Sequence, residues 1–335
     1  MRTKGRRGLI ILCGTLLIWL ISIGGPALVQ GQESKYPSRP LEIIIPFGPG
    51  GILDVGTRIF IEPLSKELGV PIIIRNKSGG AGLIGSTAFL KMKPDGYTIL
   101  GASAAAVIST VQLSKTPQFD PRKDLRPIGY LADAPASMSV PKNSPFKSFN
   151  DFVQFAKENP NKLNGGVSSL GGETHIMFAS ILGDNKIKSK MIPYRGTGSL
   201  VTAMLGGHLD WMCLSLPATM PYQRSGDANI LLLTRKAPTL PGVPSGSDVG
   251  LPNVSVNMWL GFFALPQTPK PVYDKLVAAV ARAAKDPKMA EKLAKAGFNV
   301  AYKNPDEFSN LISDQWNIFG RVIKEAGITA QSTGH

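Results

Sequence analysis

The stretch Leu41-Glu42-Ile43-Ile44-Ile45-Pro46-Phe47-Gly48-Pro49-Gly50-Gly51 decides the architecture. Its first six residues form a β-branched apolar run bounded by Pro40, which reads as a buried strand. The glycine loop Gly48–Gly51 turns the chain, and Asp54 opens a helical pattern that runs to Leu68 and stops at Gly69. Pro63 inside that pattern predicts a kink or a break. The unit then repeats. Val70–Arg75 is a second strand, Ser78–Gly82 a second glycine loop, and a helix follows to Met92. After the turn Lys93-Pro94-Asp95-Gly96, a third strand covers Tyr97–Gly101. Strands alternating with helices through short loops predict a parallel, doubly wound α/β arrangement.

Further along, Ser148 precedes a helix with Phe149, Phe152, Val153 and Ala156 on one face, and Asp151 completes a capping pattern. Leu163–Ser168 reads as a strand, Gly171–Leu182 as a loop and helix, and Lys190–Pro193 as a strand. The loop Tyr194–Ser199 opens a helix that Gly206-Gly207 ends, and strands follow at Trp211–Leu216 and Asn229–Thr234. Thr268-Pro269 starts another helix, and Asn304-Pro305-Asp306-Glu307 is a capping box before a helix that ends at Gly327. Two similar α/β halves emerge, and strand-like stretches near 126–140 and 256–265 are the candidates for segments crossing between them.

Composition narrows the class. With 335 residues, 43% hydrophobic and 18% charged, the chain is globular, of a size for two lobes, and not disordered. Two cysteines exclude a disulfide scaffold and a Cys-rich zinc module. Arg2, Lys4, Arg6 and Arg7 precede an apolar stretch from Gly8 to Ile23, and Val29 and Gly31 fit the small positions of a cleavage site. Residues 1–31 therefore read as a secretory signal peptide, with an uncleaved membrane anchor as the alternative. Its removal lowers the net charge from +14 to +10 and leaves Cys213 alone, which points to a bacterial periplasm. Such a balance suits nucleic acid, an anionic membrane or an acidic small ligand, and the basic residues, scattered without interleaved aromatics in an exported chain, argue against nucleic acid.

Enzymatic constellations are sparse. His175, His208 and His335 are the only histidines, and none has the spacing of a helical metal pair. No G-x-S-x-G elbow and no H-E-x-x-H occurs. Gly48–Gly51 lacks the Lys-Ser/Thr of a phosphate-binding P-loop. Gly80-Ala81-Gly82-Leu83-Ile84-Gly85 spells a dinucleotide fingerprint, but the next strand ends at Gly101-Ala102-Ser103 with no acid for a ribose. No cofactor and no metal is expected. What remains is a shared property of three loops, 48–54, 78–85 and 194–199, each putting glycine-rich backbone at a helix start. Free N–H groups and the helix dipole suit such starts to an anion, although ordinary strand-to-helix turn chemistry accounts for the glycines equally well.

Several ordered motifs carry a family resemblance. Tyr36-Pro37-Ser38-Arg39-Pro40 followed by Pro46-Phe47-Gly48-Pro49-Gly50-Gly51-x-x-Asp54 resembles the mature start of the Bug-type periplasmic receptors of tripartite tricarboxylate transporters. The likeness continues through Asn76-x-x-Gly79-Gly80-Ala81-Gly82-x-Ile84-Gly85, Pro94-Asp95-Gly96-Tyr97-Thr98, His175, Ile192-Pro193-Tyr194-Arg195-Gly196-x-Gly198 and Leu205-Gly206-Gly207-x-x-Asp210. The sequence departs from the family where a small or hydroxylated residue is usual, having Ile52-Leu53 between Gly51 and Asp54.

The resemblance implies a two-lobed, hinged Venus-flytrap receptor, with a doubly wound sheet in each lobe. Lobe 1 would comprise 36–133 plus 262–330 and lobe 2 134–261. The implied partners are a small organic anion (a di- or tricarboxylate, an aromatic acid or an acidic amino acid) and a two-component membrane permease. Carried over residue by residue, the first lobe's grip is Phe47, Gly48, Pro49, Gly50, Gly51 and Asp54, with Asn76, Gly80, Ala81, Gly82, Ala102 and Ser103 nearby. The second lobe offers Ser168, Ser169, Thr174, His175, Tyr194, Arg195, Gly196 and Thr197, with Arg195 either the direct charged contact or turned to solvent or a neighbouring acid, and Asp210 after the helix either a ligand contact or a structural partner. An exported α/β enzyme acting on an organic acid, with His175 as base, and a ligand sensor for a membrane regulator are the alternatives.

Overall fold

In the computed structural model, β1 (Leu41–Ile45) lies between two parallel neighbours, and that position explains its composition. The residues described are 36–168, 170–251 and 257–325. The expected signal peptide over 1–31, Ser169 and part of the 256–265 stretch lie outside them.

From β1 the chain enters α1 (Ile52–Leu68), then β2 (Ile72–Asn76), α2 (Leu83–Leu90) and β3 (Thr98–Ala102). β1 pairs with β2 on one side and β3 on the other, so four of its five residues are buried. β2 is the edge strand, where Ile73 is 55% exposed and Arg75 pairs with Glu42 at 2.8 Å. The break expected at Pro63 does not occur. α1 continues to Leu68 because Phe60 and Leu64 on either side of Pro63 are fully buried and hold both halves to the core. Gly69 then ends the helix in a left-handed conformation, donating its N–H to the Ser65 carbonyl.

A π-helical turn at Ala105–Ser109 follows β3 and runs into α3 (Thr110–Leu113) and α4 (Pro121–Asp124). β4 (Arg126–Pro141), α5 (Phe149–Glu158), β5 (Asn164–Val167), α6 (Glu173–Asn185), β6 (Lys190–Pro193), α7 (Thr197–Leu205), β7 (Trp211–Ser215), α8 (Leu216–Ser225) and β8 (Ala228–Leu233) come next. The chain continues through β9 (Asn257–Ala264), α9 (Lys270–Ala283), α10 (Pro287–Lys295), β10 (Asn299–Lys303) and α11 (Pro305–Glu325).

The strands run in the order β2-β1-β3-β9-β4-β7-β5-β6, with β8 and β10 also pairing β4. β5, β6 and β7 are mutually parallel in the order β6-β5-β7, echoing β2-β1-β3. A wholly parallel arrangement is corrected here. β9 is antiparallel to β3, and β4 is antiparallel to β9, β7 and β8, because these strands travel between the two parallel groups. Residues 126–135 of β4 pair with β9, and 136–141 pair with β7 and β8. Just before that change of partner, buried Asp133 accepts a hydrogen bond from Tyr130 Oη at 2.5 Å and pairs with Arg235.

Each parallel group has its own aromatic core. Trp259, Phe263, Phe308 and Tyr130 pack between β9, β4 and α11, with Trp259 and Phe308 edge to face at 5.0 Å. On the other group, Phe178 of α6 stacks on Trp211 of β7 at 4.2 Å. Gly165 of β5 makes that stack possible, since a Cβ there would lie 2.4 Å from both rings. Trp211, Met212 and Cys213 are all fully buried in β7.

Candidate ligand-binding cleft

Five strands deliver their carboxyl ends to one cavity. Phe47, Gly48 and Gly51 follow β1, Ser103 follows β3, Ser168 follows β5, Gly196 and Thr197 follow β6, and Leu214 and Ser215 end β7. Ile52 and Leu53 from the first turn of α1, Glu173 and Thr174 from that of α6, and Met258 of β9 complete the lining. Ligands of parallel α/β sheets bind at this end of the strands, where the helices present their amino termini.

The helix starts are bare. α1, α6 and α7 have glycine at the N-cap (Gly51, Gly172 and Gly196), and no side chain caps any of them. α8 begins at Ser215, again without a side-chain cap. Their first-turn N–H groups are thus left to other partners. The cavity measures about 50 Å³, far below the roughly 300–1,000 Å³ of a small-molecule site. Its two sides stand close together, and a Cβ on Gly51 would lie 3.3 Å from Thr197 Oγ1.

The loop after β1 is held from behind. Asp54 accepts from the Gly50 N–H, from Arg58 and from Asn76 Nδ2, each at 3.0 Å, and Asn76 also donates to the Phe47 carbonyl. Burial pushes the Asp54 carboxyl up, but Arg58, the Gly50 amide and Asn76 together hold it below the usual range. Gly50 sits at φ +81, a conformation that suits glycine. Gly82 lets the second glycine loop approach, since its Cβ would fall 2.8 Å from Ala106 and 3.1 Å from Phe47. Gly85 lies so close to Pro46 and Lys77 that a Cβ would come within 2.6 Å of both, so the G-x-G-x-x-G spelling serves packing.

The structure divides the predicted residues between the cavity lining and its surroundings. Phe47, Gly48, Gly51, Ser103, Ser168, Thr174, Gly196 and Thr197 line the cavity, and Ser168 and Thr174 are joined through their hydroxyls at 3.3 Å. Pro49, Gly50, Asp54, Asn76, Gly80, Ala81, Gly82, Ala102 and His175 are not in the lining, and several support it. His175 is buried, accepts at Nδ1 from the Gly171 N–H at 2.9 Å, and is driven toward the neutral form by burial. Tyr194 packs on the Leu200–Met204 cluster of α7.

Arg195 and Asp210 take the second of the roles open to each. Arg195 is exposed and outside the lining, because Gly196 turns the chain before the helix starts. Asp210 accepts from the Asn164 N–H at 2.7 Å, joining the amino ends of β5 and β7, the strand ends opposite those that line the cavity.

Glu173, Leu214, Ser215 and Met258 were missed. The carboxyl end of β7 could have flagged Leu214 and Ser215. Glu173 gives a weak signal, since an acid in a first helical turn reads as a dipole partner. It is 2% exposed, and its Oε1 accepts from the Ala105 N–H at 2.9 Å, at the start of the π-helical turn. Burial raises its carboxyl above the usual range against the pull of its own amide, Ala105 and Ser103.

A two-sided α/β protein with strand ends from both parallel groups around one cavity is of the periplasmic solute-binding class. The chain belongs to the tripartite tricarboxylate transporter receptor family, whose model matches residues 57–328. The solved periplasmic binding protein BugD is 30% identical, with a TM-score of 0.83 over 88% of this chain and 99% of that one. MatC from Rhodopseudomonas palustris, solved with bound malate, is 27% identical with a TM-score of 0.78, over 86% of this chain and 100% of its own. R. palustris Rpa4515, solved with adipate, is 26% identical with a TM-score of 0.84, over 88% of this chain and 99% of its own.

Proposed function

We propose that the protein is an extracytoplasmic receptor that takes a small organic carboxylate into its cleft and hands it to a two-component membrane permease. The observation that carries this reading is the convergence of the uncapped, glycine-started helices α1 and α7, at Gly51 and Gly196, on one cavity. Backbone N–H groups backed by helix dipoles hold an anion without a side-chain cation. The relatives solved with malate and adipate support a carboxylate as the ligand class.

In this reading residues 1–31 export the chain to the periplasm. Lobe 1 is 36–133 plus 262–330, lobe 2 is 134–261, and β4 and β9 carry the hinge. Opening about these strands admits the ligand, and closing brings Thr197 onto Gly51. The ligand shifts this equilibrium by its greater affinity for the closed form. An enzymatic reading loses its candidate base, since the Nδ1 lone pair of His175 is taken by Gly171.

A thermal-shift screen of residues 32–335 against mono-, di- and tricarboxylates, aromatic acids and acidic amino acids tests the proposal. A carboxylate at one hundred times its dissociation constant should stabilise by about 2.7 kcal/mol and be recovered unchanged. A flat panel from protein shown by native mass spectrometry to be ligand-free, or turnover of the bound acid, would refute it.

A further inference from the structure

The cavity holds one fully built acidic group, and nothing in its lining balances it. Glu173 is buried, lines the cavity, and forms no ion pair among the described residues. No Lys or Arg lines the cavity beside it. Its Oε1 accepts from the Ala105 N–H at 2.9 Å, and Ser103 and its own amide favour its charged form. A carboxylate offers about four acceptor positions, so the group keeps capacity for a further donor.

The contacts across the cleft make the cavity two-ended. Where Gly51 meets Thr197, glycine-capped starts of α1 and α7 offer N–H groups to an anion. Where Ser103 and Ala105 meet Glu173, the equivalent donors are already occupied by the protein's own carboxyl group. A ligand carboxylate fits the first end. At the second end another carboxylate would face a like group in a buried place, whereas a donor would meet an acceptor.

We propose that Glu173 makes this receptor select a small monocarboxylate whose far end carries a hydrogen-bond donor, such as an ammonium, hydroxyl or amide, over a dicarboxylate of the same length. The selection rests on the carboxylate-receptor reading above and specifies its ligand. Glu173 is the specificity-determining residue, and Ser103 and the Ala105 amide position it.

Calorimetric titration with matched pairs tests this. The diacids are succinate, glutarate and adipate. The partners of equal length are 4-aminobutyrate, 5-aminopentanoate and 6-aminohexanoate, with the corresponding ω-hydroxy acids alongside. The wild-type protein should bind at least one donor-bearing acid ten or more times tighter than its diacid. Glu173→Gln, with an unchanged circular dichroism spectrum, should shrink that ratio at least tenfold. A diacid bound as tightly as its donor-bearing partner by the wild type overturns the proposal, and so does an unchanged ratio in Glu173→Gln. A tight ligand from the wider screen that has no donor beyond its carboxylate overturns it as well. The wild-type ratio decides the matter even where the variant does not fold. If no carboxylate of any class binds, the receptor reading itself falls and takes this one with it.

Discussion

The helices that start at the cavity differ from four of those that start elsewhere. α4, α5, α10 and α11 begin on Asp120, Ser148, Asp286 and Asn304, and each of these side chains accepts from first-turn N–H groups. α1, α6 and α7 begin on glycine and α8 on a serine that does not cap. A side-chain cap stabilises a helix by about 1 kcal/mol. The cleft helices forgo this, and the starts of α1 and α7 lie at the cavity with their first-turn donors uncapped. α2, α3 and α9 also lack a side-chain cap away from the cavity, so what distinguishes the cleft helices is that their uncapped starts meet at one cavity.

The largest expected effect comes from Gly51. Its φ of −80 is ordinary, so any residue fits the backbone, but a Cβ would press on Thr197 Oγ1. Gly51→Val should weaken carboxylate binding about a hundredfold while leaving the ligand-free melting temperature nearly unchanged, because the clash exists only when the cleft is closed. Calorimetry and thermal melting check the two halves of that statement. Gly50 next to it has the opposite character. No atom would crowd a Cβ there, but its φ of +81 strains a branched residue. Gly50→Val should lower stability by about 1–3 kcal/mol, read from chemical denaturation, and weaken binding as well, since the loop loses its shape.

The outer caps set the contrast. Ser148→Ala or Asp286→Ala should each lower stability by about 1 kcal/mol and leave ligand affinity within a factor of two. Loss of affinity in either variant would break the division between the two kinds of helix start. The smallest effect concerns pH. Asp54 has a folded-state pKa below 3.8, so its stabilising contribution is complete above 3.8 and is lost only as the pH falls through the lower, folded value. The stability difference between wild type and Asp54→Asn should therefore be flat from pH 5 to 8 and shrink below 3.8, as measured by denaturation at each pH.

Much of this architecture is legible in the residues. The run Leu41–Ile45 is apolar because β1 is flanked on both sides, and the boxes at Ser148 and Asn304 are read correctly because capping is local chemistry. The π-helical turn at Ala105–Ser109 was not legible, since Ala104, Ala105 and Ala106 are all buried and carry no periodic signal. Pro63 misleads because tertiary packing of Phe60 and Leu64 outweighs one missing helical hydrogen bond. At the site, glycines show which loops are close to something, but not to what. Gly51 faces Thr197 whereas Gly82 and Gly85 face the protein's own backbone and core. Charge is equally mute, for Arg195 turns out exposed and Asp210 joins two strands, while the acid that lines the cavity is Glu173.

Amide chemical shifts test the central claim most directly. Nitrogen-15-labelled protein should be titrated with the carboxylate found in the screen, and the backbone amides around the cleft followed by NMR. If bare helix starts hold the anion, the largest downfield proton shifts should fall within Gly48–Asp54 and Gly196–Ser199, with the first turns of α5 and α11 unmoved. Saturable binding without shifts at those amides, or with the dominant change at Arg195, would contradict it.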